Sequence, residues 1–431
     1  MWLVYEILLA IAFLCYVPKA LMKRRLPHRR WSMRLGRYPQ HVRTRVEGRD
    51  VIWIHAVSVG EVMAVQPLIW ELRAREPAIL VVLSTITPTG FAVASNCLGT
   101  QGVVIYAPLD FRFAVRRALE TIRPRLLLLV ESELWPALTR LTNAQRIPVA
   151  VVNGRISARA YRRYRWVKPW LKRMLDAVDL FLMQSEEDAA RITGMGAEGR
   201  RVRVQGSLKW DASLATRPKR GAGEELAARL GVRPDEIVLV AGSTHRGEET
   251  TVLEACRVLR KRRTAVRLVI APRHVERIGE VEALVREQGL SVQRASAITP
   301  ASGPWDVAVV DTFGTLPAYY GIATVAFIGG SLIPHGGQNP LEAASLGKPV
   351  IFGPSMENFA EIAGQLLSHE AAIQLRHRSD FVSTLKDLLD NPAKALAMGQ
   401  RARDLVEHLS GTSRRTCDAL KPLLTDHPSP T

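Results

Sequence analysis

Cysteine is scarce in this chain. The four residues, Cys15, Cys97, Cys256 and Cys417, are scattered over 431 positions and form no CxxC pair. That distribution argues against zinc ribbons and a disulfide framework, and it fits a reducing compartment. No Asp-x-Asp and no His/Cys run offers itself as a metal site. Short-period repeats are absent, and the polar tail after Thr425 is the single low-complexity stretch. Acidic residues are also in short supply, 41 against 59 Lys and Arg.

The formal charge of +18 implies an anionic partner: nucleic acid, a membrane surface or a phosphorylated substrate. The length favours two domains, or at most three. Apolar residues at 47% and charged residues at 23% are ordinary for folded protein, so each domain can bury a core.

The N-terminus bears on which anion is meant. From Met1 to Val17 only Glu6 interrupts an apolar run, and ten Lys or Arg lie between Lys19 and Arg45 with no acid among them. As a helix, Met1–Met22 reaches bilayer thickness if Lys19 snorkels, and the downstream charge puts the rest of the chain in the cytoplasm. A cleaved signal peptide wants its positive charge before the apolar run and a small-residue site after it. The order here is reversed, so residues 1–22 are expected to be a retained single-pass anchor and 23–50 a basic juxtamembrane segment. A second cluster, RISARAYRRYRWVKPWLKR from Arg155 to Arg173, has eight Lys or Arg, no acid and four aromatics. Such a mixture can stack nucleic-acid bases or sit in lipid headgroups, or it can be a solvated helix face with its aromatics turned inward. Beside an anchor, lipid is the better functional reading. Arg162, Arg163, Arg165 and Lys168 are the expected contacts, and nucleic acid is not expected as a partner.

From Val51 the chain alternates short apolar runs (VIWIHA, ILVVLS, VVIYA, LLLLVE, PVAVVN, DLFLMQ) with segments of helical spacing. The rhythm breaks in TRPKRGAGEE and resumes with IVLVAG, RLVIAP, VAVV, ATVAFIGG and PVIFG. This predicts α/β architecture: two doubly wound, Rossmann-like domains facing across a cleft. The expected bounds are 51–205 and 236–400, with an interdomain linker at 206–235 and a C-terminal helix and tail at 401–431. GMGAEG, with Gly194, Gly196 and Gly199, matches GxGxxG, but a helix-like segment precedes it and a strand-like one comes after it. A glycine helix stop is therefore predicted, not a dinucleotide site.

In such sheets ligands bind beyond the carboxyl ends of the strands. In the first half those positions carry Glu61, Glu131 and Glu133. Ser58 and Glu61 are spaced as a capping box, and an acid suits a first helical turn, so Glu61 has a structural reading as well as a chemical one. In the second half GSTH (242–245), Arg273-His274, DTFGTL and GGSLIPHGGQNPLE come after strands. Glycines opening a helix let backbone N–H groups approach a phosphate, and Glu342, one turn in, is placed for two ribose hydroxyls. Together these make a case for a nucleotide.

HAVSVGEV, VESELWP, GSLKWD, APRH and GGSLIPHGGQNPLEAASLGKPVIFGP resemble the Kdo transferases of Gram-negative lipopolysaccharide biosynthesis. These enzymes move 3-deoxy-D-manno-octulosonic acid (Kdo) from CMP-Kdo to lipid A precursor. The resemblance implies a GT-B glycosyltransferase acting by inverting transfer at the cytoplasmic face of the inner membrane, without metal or other cofactor. It also implies an acceptor-binding first domain and a CMP-Kdo-binding second domain. Position by position it makes Glu61 the base, with Glu131 and Lys209 supporting the transition state. CMP falls to Pro272 and Arg273, to Phe313, Gly314 and Thr315, and to Asn339, Pro340, Leu341 and Glu342. Thr315 stands where the family usually has an acid; its hydroxyl can hydrogen-bond but carries no charge. A Glu in a first helical turn is expected to be held ionised by the helix dipole.

Overall fold

The computed structural model describes residues 5–7, 9–11, 14–15, 31–164, 168–261 and 265–425; at Tyr164, Lys168 and Pro169 it describes the backbone. The chain divides into two compact units, Met1–Ala212 with Gly411–Thr431, and Ser213–Ser410. Among the described residues each unit holds one seven-stranded sheet, and every strand pairing is parallel.

In the first unit the strands are β1 (Val51–His55), β2 (Leu80–Thr85), β3 (Val103–Tyr106), β4 (Leu126–Val130), β5 (Val149–Gly154), β6 (Leu180–Met183) and β7 (Val202–Val204), in the order β3-β2-β1-β4-β5-β6-β7. The residues of β1, β2 and β4 to β6 are buried on both faces, which is why they read as continuous apolar runs and not as alternation. Trp53 fills the centre, fully buried, and its indole N–H donates to Ser84 Oγ at 2.8 Å. The order reverses between β1 and β4, so the chain leaves these two adjacent strands in opposite directions. That is where a doubly wound sheet opens a crevice at its carboxyl edge.

The second unit repeats the plan with β8 (Ile237–Thr244), β9 (Val266–Pro272), β10 (Val292–Arg294), β11 (Val307–Val309), β12 (Val325–Ile328), β13 (Val350–Phe352) and β14 (Ala372–Gln374). The order is β10-β11-β9-β8-β12-β13-β14, with the reversal between β8 and β12. Strands β10 and β14 are not foreshadowed in the sequence. They are three-residue edge strands, partly exposed and without an apolar run to mark them.

The expected 206–235 linker contains two helices, Leu208–Ala215 and Ala222–Leu230. Gly221 (φ +89°) and Gly231 (φ +64°) bound the second helix, and its Leu226 and Leu230 are buried. Both glycines are helix ends in left-handed backbone. The break expected at residue 400 also moves. The helix Pro392–Leu409 stays with the second unit, whereas Thr412–Thr425 packs in the first. Asp211 accepts the N–H groups of Gly411 (2.6 Å) and Ser413 (2.5 Å), and buried Cys417 and Leu420 join the core cluster containing Leu68 and Leu72. Gly196 (φ +118°) ends the helix Glu186–Met195, as a glycine helix stop requires.

Most of the apolar segment 1–22 lies outside the described residues. Among those described, no helix is long and apolar enough to cross a membrane. Within the segment, the Tyr5 hydroxyl donates to Asp110 at 2.7 Å, and Asp110 also accepts from Ala137 and Leu138 N–H.

Candidate active site

Glu61 sits in the first turn of the helix Val59–Arg75, six residues beyond β1. Ser58 is the N-cap; its Oγ accepts Glu61 N–H at 3.3 Å and donates to Glu61 Oε1 at 2.9 Å. Val57 N–H donates to Oε2 at 2.7 Å. The capping role is therefore real. The residue is only 9% exposed, and burial pushes its carboxyl up to about 7. Val57 and Ser58 oppose that rise, while the charges of Glu131 and Glu133 add to it. The expectation that the dipole keeps Glu61 ionised is corrected: desolvation outweighs the helix terminus, and the group is poised between its two states at neutral pH.

Glu131 comes directly after β4, across the reversal from β1. It holds a left-handed backbone, φ +58°, unusual for a residue with a side chain and of the kind that collects at functional sites. Lys209 Nζ lies 3.0 Å from Glu131 Oε1, with both side chains 17% exposed. Asn153, at the end of β5 and also left-handed (φ +54°), donates to Glu131 Oε1 at 3.3 Å and accepts Leu208 N–H at 2.9 Å. It thus ties the carboxylate to the helix that carries Lys209. Asn153 was missed in the sequence; an Asn closing an apolar strand, able to tolerate this conformation, is the signal that could have found it. Glu133 accepts the Trp135 indole N–H at 2.8 Å, and the His55 ring meets Trp135 edge-on at 4.8 Å. His55 is fully buried and pushed down to about 3, so it is neutral.

In the basic cluster, Arg162 and Arg163 are exposed on the helix Ala158–Tyr164, while Tyr161 and Trp170 pack against the core. These two aromatics are turned inward. Lys168 begins the helix Lys168–Leu175, and Arg165 lies outside the described residues.

The second unit places its glycine-rich turns at its own reversal, after β8 and β12. Glu248, fully buried and overlooked in the sequence, organises them. Its Oε2 accepts the N–H groups of His245 (2.9 Å) and Gly330 (2.7 Å), and its Oε1 those of Ser331 and Leu332, both at 2.9 Å. A Cβ at Gly329 would collide with the Ser243 carbonyl oxygen, so only glycine lets the two turns close. Arg273, exposed at the end of β9 after buried Pro272, donates its N–H to Thr244 O at 3.0 Å. The His245 ring stands 4.0 Å from His335 and 5.7 Å from His274. Burial first, then those two rings and Arg273 and Arg277, hold it down to about 4.

Asn339 Oδ1 accepts Leu341 N–H at 3.1 Å, and Pro340 caps the short helix Leu341–Ser345. Glu342 is pushed up to about 7 by burial, with the Arg273 charge opposing. Phe313 is 75% exposed beside Gly314 (φ +79°), and the Thr315 hydroxyl pairs with that of Thr312 at 2.8 Å. Among the described residues no group of three or more His, Cys, Asp or Glu side chains could hold a metal ion.

A family model described as 3-deoxy-D-manno-octulosonic-acid transferase (kdotransferase) matches residues 29–212. The chain is 37% identical to the 3-deoxy-D-manno-octulosonic acid transferase of Bordetella pertussis over 379 residues, covering 86% of each chain. It belongs to the Kdo transferase family. The Kdo transferase of Haemophilus influenzae is 30% identical over 379 residues, covering 86% of this chain and 87% of that one. This Kdo transferase family member is therefore a glycosyltransferase. Among solved structures, UDP-GlcNAc 2-epimerase from Neisseria meningitidis aligns over 86% of this chain and all of its own, with a TM-score of 0.61 at 14% identity. That likeness shows the α/β, GT-B-like fold alone.

Proposed function

We propose that the enzyme transfers Kdo from CMP-Kdo to a hydroxyl of the lipid A precursor lipid IVA, with inversion, in lipopolysaccharide core assembly. The observation that carries this reading is Glu61: a desolvated carboxyl at a strand-to-helix turn, pushed up to about 7 and facing a Glu131–Lys209 pair. A general base works best with such a value near the operating pH. The carboxylate takes the proton of the acceptor hydroxyl as that oxygen attacks the anomeric carbon of Kdo. The bond from that carbon to the phosphate oxygen breaks, and CMP leaves as a monoester. Lys209 supplies positive charge beside Glu131, and Asn153 fixes that carboxylate.

In the second unit Arg273 meets the phosphate of the leaving CMP. Asn339 to Glu342 hold the nucleotide, with Glu342 accepting ribose hydroxyls. Pro272 and the turn Phe313-Gly314-Thr315 border it, and Thr315 offers a neutral hydroxyl. Segment 1–22 anchors the enzyme in the inner membrane with both catalytic units on the cytoplasmic side. Arg162, Arg163, Arg165 and Lys168 meet anionic headgroups or the acceptor phosphates.

CMP-Kdo and tetraacylated lipid A precursor, read by mass, should give addition of Kdo, with UDP-sugars inert and EDTA without effect. Turnover of a UDP-sugar in place of CMP-Kdo would replace the donor. Inactivation by EDTA that a divalent cation reverses would overturn the metal-free donor site. Deleting Met1–Met22 should release a folded enzyme, active in detergent, from the membrane fraction; a chain that cannot fold would make this segment core.

A further inference from the structure

The glycine-rich turns of the second unit spend their backbone donors on the protein itself. Gly330, Ser331 and Leu332 give their N–H groups to Glu248. Gly336 N–H donates to Ser355 Oγ at 2.9 Å, Gly337 N–H to Gly330 O at 2.8 Å and Gln338 N–H to Gly329 O at 3.1 Å. A concavity of backbone N–H groups can hold an anion only while those groups are unclaimed. Recognition of a negative group at this reversal therefore falls to side chains.

Three of those side chains are imidazoles. His245 follows β8, His274 follows β9 and His335 lies in the turn after β12. The rings of His335 and His274 stand 4.0 Å and 5.7 Å from that of His245. The Gln338 amide donates to His245 Nε2 at 3.2 Å, which leaves the ring proton on Nδ1 and the ring neutral.

The carboxylates around this cluster are committed elsewhere. Glu248 holds its four backbone N–H groups, and Glu249 pairs with Arg277 at 2.8 Å. Glu280 pairs with Arg246 at 2.6 Å and with Arg277 at 3.0 Å, and Glu357 accepts the Ser355 hydroxyl at 2.7 Å. Glu276 is exposed, and Glu342 feels the charge of Arg273. Among the described residues none of these acids forms an ion pair with an imidazole. Burial first, then the two neighbouring rings, Arg273 and Arg277, keep a proton off His245. An anion entering the cluster reverses the sign of that local field, and rings so close together then gain a proton as a unit.

We propose that His245, His274 and His335, with Arg273, form the phosphate subsite of the donor, and that the cluster takes a proton from solvent as the phosphate binds. The proposal rests on the CMP-Kdo reading above and makes donor capture proton-coupled. When the bond from the anomeric carbon breaks, the phosphate gains negative charge, and the captured proton already stands beside it.

The methyl ester of CMP is the probe, because a phosphodiester keeps one charge across the neutral range, whereas a monoester titrates near about 6. Calorimetry on the full-length protein, in two buffers of different ionisation enthalpy, should show uptake of about half a proton or more per ester bound at pH 7. Cytidine should bind with none. Affinity for the ester should fall at least about fivefold from pH 6 to pH 8. Binding without proton uptake, or with an affinity flat over that range, overturns the proposal. Gln338→Glu puts a carboxylate beside His245 in place of the ligand's charge. It should abolish the uptake and weaken the ester at least about tenfold. If Gln338→Glu does not fold, His335→Gln carries the test, since it removes an exposed ring and should flatten the pH profile. A His335→Gln protein that keeps the full pH dependence overturns the proposal. The methyl ester of UMP separates the subsite from the donor reading. A uridine ester that binds more tightly than the cytidine ester, with the same proton uptake, supports the subsite and removes CMP-Kdo as the donor.

Discussion

Each unit buries a glutamate just past its central strand, and the two are put to different use. Glu61 lies past β1 and Glu248 past β8, both at the strand-order reversal of their sheets. Burial pushes both carboxyls upward. Glu248 answers with four backbone N–H donors from two turns, so its charge is consumed in holding backbone together. Glu61 has one backbone donor and the Ser58 hydroxyl, and it faces two further carboxylates. Donor count separates a clamp from a candidate base: the same residue in the same topological place becomes titratable when the fold withholds partners from it.

The sharpest way to break the comparison is to make both residues glutamine. Glu61→Gln keeps one acceptor oxygen for Val57 or Ser58 but loses basicity. Turnover should fall by about 10²- to 10⁴-fold, roughly 3 to 5.5 kcal/mol of barrier, with melting at pH 7 within a few degrees of wild type. Turnover per folded molecule that stays intact, with a lowered melting temperature, would reduce Glu61 to a cap.

Glu248→Gln should do the reverse. An amide NH₂ replaces one acceptor oxygen and confronts buried N–H groups, at about 1–3 kcal/mol for each donor left unpaired. The expected result is a melting temperature lower by several degrees and a raised KM for CMP-Kdo, with kcat changed far less than in Glu61→Gln. A Glu248 variant with normal melting and a hundredfold lower kcat would abolish the distinction.

The pH dependence sharpens it further. On the proposed reading Glu61 acts as a base and must be ionised, so kcat/KM should rise with pH through a limb near 7 that disappears in Glu61→Gln. Replacing Glu133 by Gln removes one of the negative charges that raise Glu61, and the limb should move to lower pH. Stability runs the other way. A carboxyl held near 7 in the folded chain against 4.5 ordinarily keeps a proton that the unfolded chain releases. Its contribution is full below pH 4.5 and is lost as pH rises through 7. Above pH 7 the Glu61→Gln protein should therefore melt no lower than wild type, and calorimetry across pH 5 to 9 checks the sign.

The smallest effect is expected on the surface. Replacing Arg162 and Arg163 by Gln should weaken binding to anionic liposomes by about 1 kcal/mol per charge, about fivefold each, and leave CMP-Kdo affinity unchanged. Liposome co-sedimentation decides this, and binding that is insensitive to both charges removes the patch.

Range decides which features were legible from sequence. Apolar runs such as VIWIH and LLLLV declare fully buried parallel strands because burial on both faces leaves no alternation, and the reversed strand–helix order around GMGAEG excludes a dinucleotide turn; these are local effects. Short edge strands such as Val292–Arg294 declare nothing, since half-exposed backbone needs no apolar code. The helix Thr412–Thr425 could not be assigned to the first unit, because the bond that fixes it runs from Asp211 to Gly411, two hundred residues away. For the site, residue types at strand ends were enough to single out Glu61, Glu131, Arg273 and Glu342. Their protonation was not accessible: the dipole argument used one helix, whereas the value near 7 comes from enclosure by several elements and from Glu131 and Glu133 arriving on another strand. The roles of Asn153 and Glu248 were hidden for the same reason, since Leu208 for the one and Gly330, Ser331 and Leu332 for the other lie far away in sequence. Composition and periodicity settle which segments must be buried, because that depends on each residue's own transfer free energy. Charge state and clamping depend on what surrounds a group in space, and only the folded chain decides that.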